Sequence, residues 1–281
     1  MLVNMGSLLS LAQERKYAVG AFNVYSYETI RGVLDCAEQM QAPVILAFGE
    51  RYLKNLDFET VYSMVQSAAR NVTVPFALHL DHCRDLKNIY RAIRSGFTSV
   101  MYDGSMLPYE ENKANTAQVV EVAHANGVSV EAELGSLTAG EYSQEGTASD
   151  QEIYTDPEQA WEFVRDTKVD ALAVSIGTVH GLYKGEPNIR IDILQKIRAR
   201  VSVPLVLHGG SGTPEEVIKA CIQNGICKIN VNTEVSLFTV QRLKQFLGEN
   251  DQSHLSTLSL KQIEFIKEVV GKYMHLFGAA G

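Results

Sequence analysis

The sequence has little cysteine. Cys36, Cys83, Cys221 and Cys227 form no CxxC pair, and only the last two lie near each other. That excludes a disulfide scaffold and reads as reduced thiols in a reducing compartment. Excess positive charge is also absent: Lys and Arg total 25 against 33 Asp and Glu, a formal net charge of −8. Without a basic run interleaved with aromatics, nothing here is suited to a phosphate backbone, and no nucleic-acid partner is expected. No apolar stretch approaches the roughly 18 residues of a membrane span. The segment Met1 to Tyr17 carries neither a basic leader nor a continuous apolar core. The chain therefore reads as cytoplasmic, with no membrane partner. What is present is an ordinary globular balance, 46% hydrophobic and 21% charged, which excludes disorder. The length of 281 residues suits a single α/β barrel, which needs roughly 250.

Two segments repeat. Val72-Thr-Val-Pro-Phe-Ala-Leu-His79 and Val201-Ser-Val-Pro-Leu-Val-Leu-His208 share the pattern V-[ST]-V-P-x-x-L-H, 129 residues apart. Proline suits the first residue of a strand, and the apolar run behind it suits a strand covered on both faces. Four βα units in that interval would be about 32 residues each, the size of a βαβ repeat. Further strand-like runs begin near Ala18, Pro43, Ser99, Ser129, Ala171 and Lys228, so with the two starting at Pro75 and Pro204 there are eight. Helical periodicity fills the intervals. Ser26 caps a stripe of Ile30, Val33, Leu34 and Ala37, and Gly96, Gly127 and Gly225 close helices ahead of the next strands. This alternation predicts a (β/α)8 TIM barrel with residues 1–281 forming one domain. Two segments depart from the repeat. Residues 134–157 form a long loop, read as a lid. Residues 256–281 form a C-terminal helical extension, whose Ile263, Ile266, Val270 and Met274 offer an apolar stripe to the barrel or to a neighbouring subunit.

Active sites in such barrels form at the C-terminal ends of the strands. The polar residues there are Asn23, Asp81, His82, Asp103, Glu131, Glu133, His180, His208, Asn230 and Asn232. Four of the seven histidines lie at or near these ends, whereas His124, His254 and His275 do not. One such imidazole alone is an ordinary hydrogen-bonded core group, but several on one rim point to a metal. His82, His180 and His208 make the usual catalytic zinc set of three neutral imidazoles with an open position. His79 lies deeper in its strand and is read as a satisfied core histidine. Asp81 adjoins a ligand, as a general acid/base must, or as an anchor for a histidine ring would. Asp103 and Glu133 end neighbouring strands, and either bind a second or alternative metal position or orient the first.

A second constellation is built for an anion. The strand from Pro204 runs into Gly209-Gly210-Ser211-Gly212-Thr213-Pro214, with Pro214 at a helix start, so backbone N–H groups and the Ser211 hydroxyl face the positive end of that helix. The last strand ends in Asn230-Val231-Asn232-Thr233, adding amide and hydroxyl donors. Loops after the seventh and eighth strands are the usual phosphate site of these barrels. Lys184 is placed to add a charge-assisted contact.

Together these motifs resemble a known family. His79-Leu-Asp-His82, Val130-Glu-Ala-Glu-Leu-Gly135, His180-Gly-Leu-Tyr-Lys-Gly-Glu-Pro-Asn188, Leu207-His-Gly-Gly-Ser-Gly212 and Lys228-Ile-Asn-Val-Asn-Thr233 resemble the class II, metal-dependent ketose-bisphosphate aldolases of the fructose and tagatose kind. The resemblance implies a catalytic zinc on His82, His180 and His208, with Asp81 as proton donor and acceptor. It further implies an additional metal position at Asp103 and Glu133, and a monovalent cation. Contacts to dihydroxyacetone phosphate would come from Gly181, from Gly209, Gly210 and Ser211, and from Asn230, Val231, Asn232 and Thr233. A loop glutamate exchanging a proton with that ketone corresponds to Glu141. Thr138-Ala139 stand where the family has a glycine pair, so Glu145 is the alternative. The implied partner is a phosphorylated sugar, and the implied assembly a homodimer or homotetramer.

Other departures fall on the distal half of the site. Cys83 replaces a usual glycine, Ala47-Phe-Gly-Glu-Arg51 replaces a Ser- and Gly-rich loop, and Ile263, with Lys261 nearby, replaces an arginine that reaches a second phosphate. Without that cation a distal dianion is held less firmly. The expected substrate is therefore fructose 1,6-bisphosphate, its tagatose relative, or a ketose 1-phosphate. Two further readings remain at this point: a metal-dependent hydrolase on the same barrel, and a noncatalytic companion subunit. Histidine sites also accept cobalt or iron in place of zinc.

Overall fold

Apolar strands separated by helices bury both faces only if the helices wrap the sheet, and a closed sheet leaves no unpaired edge. The computed structural model describes residues 1–143, 153–250 and 253–280 and has this arrangement. The barrel strands are β1 (Val19–Asn23), β2 (Val44–Gly49), β3 (Phe76–Cys83), β4 (Ser99–Tyr102), β5 (Ser129–Leu134), β7 (Ala171–Val174), β9 (Leu205–Leu207) and β10 (Ile226–Val231). They close in the order β1-β10-β9-β7-β5-β4-β3-β2. All eight pairings are parallel. Two short strands, β6 (Thr138–Ala139) and β8 (Val179–His180), pair with each other above the rim.

Helices follow the strands in turn: α2 (Tyr27–Met40), α3 (Phe58–Ala68), α4 (Leu86–Ser95), α5 (Tyr109–Ala125), α6 (Pro157–Thr167), α7 (Ile191–Arg198), α8 (Glu215–Gln223) and α9 (Thr233–Glu249). The start of α2 obeys its sequence signal. The Ser26 hydroxyl accepts from the Thr29 amide, Thr29 caps back onto Ser26, and Ile30, Val33, Leu34 and Ala37 are buried.

Two apolar cores result among the described residues. The larger lies between sheet and helices. The smaller fills the lower barrel with Val19, Ala21, Ile45, Ala47, Ala77 and Ala171, and it is closed from below by Met5, Leu8, Leu9 and Ala12. Those last four belong to α1 (Met5–Arg15), an N-terminal helix that precedes the repeat. Its amphipathic stripe is short and drew no separate expectation from the sequence. The C-terminal helix α10 (Leu255–Leu276) buries Phe265, Ile266, Val269, Val270, Tyr273 and Met274, packing mainly against α2 and α9. Ile266, Val270 and Met274 of the expected stripe are thus buried on the same chain's barrel, and Ile263 is half-buried. No helix among the described residues is long and apolar enough to cross a membrane.

Candidate active site

Side chains in a strand alternate, so a barrel strand aims every second residue inward. This places Glu131 and Glu133 of β5 together inside the barrel, with Lys228 and Asn230 of β10 and His79 and Asp81 of β3. Lys228 Nζ lies 2.8 Å from Glu131 Oε2, both fully buried. Glu131 Oε1 is 2.9 Å from His208 Nε2. His79 shares a 2.7 Å hydrogen bond with Ser99 Oγ through Nδ1, and its Nε2 stands 3.7 Å from Glu131. Burial, and then the charge of Lys228, lower the His79 imidazole to about 4, which keeps it neutral.

Above this layer three imidazoles converge. The ring centroids of His82 lie 5.0 Å from His180 and 4.6 Å from His208. One nitrogen from each of His82, His180 and His208 lies within 4.8 Å of the others, and one ligand atom from each of His82, Asp103 and Glu133 makes a second such group. Glu133 Oε2 stands between the two, 3.8 Å from His82 Nδ1 and 3.4 Å from His208 Nδ1. Asp103 lies 3.2 Å from His82 Nδ1 and is itself held by Arg84 and by the Ser105 hydroxyl. Burial and His82 both oppose charge on His208, yet the hydrogen bond to Glu131 and the nearby Glu133 carboxylate raise it to about 9. The same carboxylates would favour any other positive charge placed there. Burial, then His82, lowers His180 to about 3, leaving a neutral donor. The donor set therefore fits a divalent cation in the way histidine sites do.

His82 has φ 44, the left-handed region. A non-glycine residue held so costs about 1–3 kcal/mol and persists only where its surroundings over-determine it. Here the Asp103 amide donates to the Cys83 carbonyl, and Glu50 accepts from Cys83 Sγ, the Arg84 amide and Asn88. Two of the departures from the family pattern thus meet: Cys83 and the Gly49-Glu50-Arg51 turn are bonded to each other.

Asp81 is fixed by two neutral amides. Asn23 Nδ2 donates to one carboxylate oxygen and Asn230 Nδ2 to the other, each at 3.1 Å. Burial works against its charge, but His82, Lys228, His79 and His208 together hold the carboxyl down at about 2.

Beside the imidazoles lies a small cavity. Asn23, His180, Gly181, Gly209, Ser211, Asn230, Asn232 and Thr233 line it. Gly209 has φ 72, and a Cβ there would meet the Val179 carbonyl at 2.2 Å; at Gly181, with φ 101, it would meet the Glu141 carbonyl at 2.5 Å. Glycine is required at both to let the loops close on the cavity. Gly210 sits behind them, its amide bonded to the Asn230 carbonyl, and Val231 is buried at the end of β10. Lys184 is exposed on the loop after His180 and does not line the cavity. Glu141 is also exposed, and its main chain pairs with Leu182 through two 2.8 Å hydrogen bonds, next to Gly181. Glu145 and the middle of the expected lid lie outside the described residues. A larger cleft, about 420 Å³, opens at the opposite face beside Gln13, Lys16, Arg198 and Asn224 and contains none of these residues.

Residues 3–281 match the family model described as fructose-bisphosphate aldolase class-II. The chain belongs to that family. It is 44% identical over 254 residues to the fructose-bisphosphate aldolase of Geobacillus stearothermophilus, a match covering 89% of this chain and 87% of the relative. It is 40% identical over 281 residues to the D-tagatose-1,6-bisphosphate aldolase subunit GatY of Klebsiella oxytoca, covering 100% and 99%. The crystal structure of the YdjI aldolase from Escherichia coli K12 superposes with a TM-score of 0.88 at 38% identity, covering 100% of this chain and 99% of that one. The reaction class is accordingly that of an aldolase, a carbon–carbon lyase. The metal-dependent aldolase resemblance and the (β/α)8 barrel both stand.

Several residues that shape the site drew no role from the sequence. The Lys228–Glu131 pair is one. The alternation Glu-Ala-Glu in β5, facing a lysine two residues before Asn230, was the available signal. Tyr52, whose hydroxyl accepts from Asn232 at 3.1 Å, carried no such signal because its contact spans 180 residues.

Proposed function

We propose that this protein is a zinc-dependent aldolase that reversibly cleaves a phosphorylated ketose, fructose 1,6-bisphosphate or a close relative, to dihydroxyacetone phosphate and an aldehyde. For a bisphosphate that aldehyde is glyceraldehyde 3-phosphate. The observation that carries the reading is the convergence of His82, His180 and His208 within 4.8 Å beside a cavity lined by Gly209, Ser211, Asn230 and Thr233.

In this reading the three imidazoles hold the zinc, and Asp103 and Glu133 with His82 provide an additional metal position. When bound, the ion supplies positive charge that stabilises the negative charge left on the three-carbon fragment. Asp81 moves the proton: its carboxylate takes it from the C4 hydroxyl in cleavage and returns it to the aldehyde in condensation. Asn23 and Asn230 hold that carboxylate in place through its two oxygens. Glu141, on the loop paired with Leu182, exchanges the proton on the three-carbon ketone. Gly181, Gly209, Gly210 and Ser211 cradle the 1-phosphate with Asn230, Val231, Asn232 and Thr233, Lys184 adds charge from its loop, and a monovalent cation accompanies the anion. Phosphate binding then holds the ketone in register with the reacting groups. The working unit is a cytoplasmic homodimer or homotetramer of one-domain chains.

The far end of the substrate is recognised less firmly. Position 263 is isoleucine, and Lys261 Nζ is already paired with Glu264 at 2.7 Å. A panel of ketose 1-phosphates and 1,6-bisphosphates, assayed by coupled release of dihydroxyacetone phosphate, tests this. We expect kcat/KM values for the two classes within about tenfold, or 1.4 kcal/mol, of each other. A bisphosphate preferred by several hundredfold would refute the distal part of the reading, and no cleavage of any member would refute the whole.

A further inference from the structure

One carboxylate joins the phosphate loop to the C-terminal helix. Glu234 follows Thr233 in the first turn of α9, and its Oε2 accepts from the Gly212 amide at 3.0 Å and from the Tyr273 hydroxyl at 2.5 Å. Its own amide donates to Ser211 Oγ at 3.2 Å. Tyr273 is buried on α10, with its ring against Phe22 and Phe277.

These bonds have a direction. Because Ser211 Oγ already accepts from Glu234, its O–H is left to donate, which is the polarity an anion requires. The Glu234 carboxylate itself is a hazard, since a negative charge turned toward a phosphate would repel it. It does not line the cavity, and its two donors keep it engaged elsewhere. Burial, and then Glu234, push the Tyr273 phenol well above its usual range, so it remains a donor at any assay pH.

We propose that Tyr273 and Glu234 are positioning residues for the anion cradle: Tyr273 fixes the Glu234 carboxylate, and Glu234 fixes the Ser211–Gly212 turn. The C-terminal helix is then part of phosphate recognition from within the same chain. The inference rests on the phosphate reading of the cavity and adds to it two residues that do not touch substrate.

Tyr273→Phe removes only the hydroxyl and keeps the ring packing. In the zinc-loaded enzyme, the Kd for inorganic phosphate, read by ³¹P line broadening, and the KM for the phosphorylated ketose should both rise roughly five- to twentyfold. Over the same substitution kcat should stay within about twofold, the pattern of lost uniform binding. Glu234→Gln keeps an oxygen acceptor for both donors and should rescue binding to within about threefold of the original, whereas Glu234→Ala should behave as Tyr273→Phe does. A merely structural defect would lower kcat and zinc content together and would not be rescued by glutamine, and that result would overturn the proposal. Original protein that binds phosphate, with Tyr273→Phe binding it equally, removes this inference alone. Original protein that binds no phosphate removes the cradle reading and this inference with it.

Discussion

The fully buried Lys228–Glu131 pair yields the sharpest stability prediction. Lys228 Nζ and Glu131 Oε2 are 2.8 Å apart with neither side chain exposed, and Glu131 also accepts from His208. Replacing Lys228 by methionine keeps the volume but leaves the Glu131 carboxylate buried without its cation. Removing one partner of such a pair costs about 3–5 kcal/mol. At about 2–4 °C per kcal/mol for a chain of this size, the melting temperature should fall by roughly 6–20 °C. Glu131→Gln in the Lys228→Met background removes the second charge and keeps an oxygen for His208. The double variant should regain most of the loss, with a coupling energy of about 3 kcal/mol. Thermal unfolding followed by circular dichroism on the four members of the cycle reads this directly. If Lys228→Met melts within about 2 °C of the original, or if the losses of the two single substitutions simply add, the buried-pair reasoning is wrong.

Three further outcomes follow from the same geometry. Asp81→Asn should keep one zinc per chain while kcat falls by about 10²–10⁴-fold, because the amide cannot take the C4 proton; unchanged turnover would remove Asp81 from the chemistry. Gly209→Ala forces a Cβ to 2.2 Å from the Val179 carbonyl at a φ of 72, so KM for the phosphorylated substrate should rise well before the melting temperature drops, as kinetics and calorimetry together will tell. All four cysteines are buried, and burial raises Cys36 and Cys227 to about 11 and Cys221 to about 12. Burial and the Glu50 carboxylate raise Cys83 as well. Each stays a neutral thiol up to pH 9, so a thiol-reactive disulfide reagent should label none in the folded protein and four after denaturation. Rapid labelling of the native chain would contradict that burial.

Much of the barrel was legible because its signals are local. Proline at a strand start, a five-residue apolar run and a closing glycine each act within one unit, and the eight strands begin within about two residues of where those signals put them. The final strand shows the limit: it begins at Ile226, two residues before Lys228. Helix α1 escaped for a different reason. It packs against the barrel floor instead of flanking the sheet, so repeat spacing says nothing about it. Polar residues at the strand ends announced themselves by type, and the structure brings Asn23, Asp81, His82, His180, His208 and Asn230 to one mouth. Their orientation did not announce itself. That Asp81 is held by Asn23 and Asn230, from strands 58 and 149 residues away, depends on barrel closure and register, which no sequence window contains.

Stoichiometric metal titration tests the central claim most directly. Chelator-stripped enzyme should be inactive, and aldol cleavage should rise linearly with added zinc to saturate at one equivalent per chain. His208→Ala should neither retain the ion nor regain turnover. Full activity in stripped protein, or in His208→Ala, would contradict the assignment of these imidazoles to a catalytic metal.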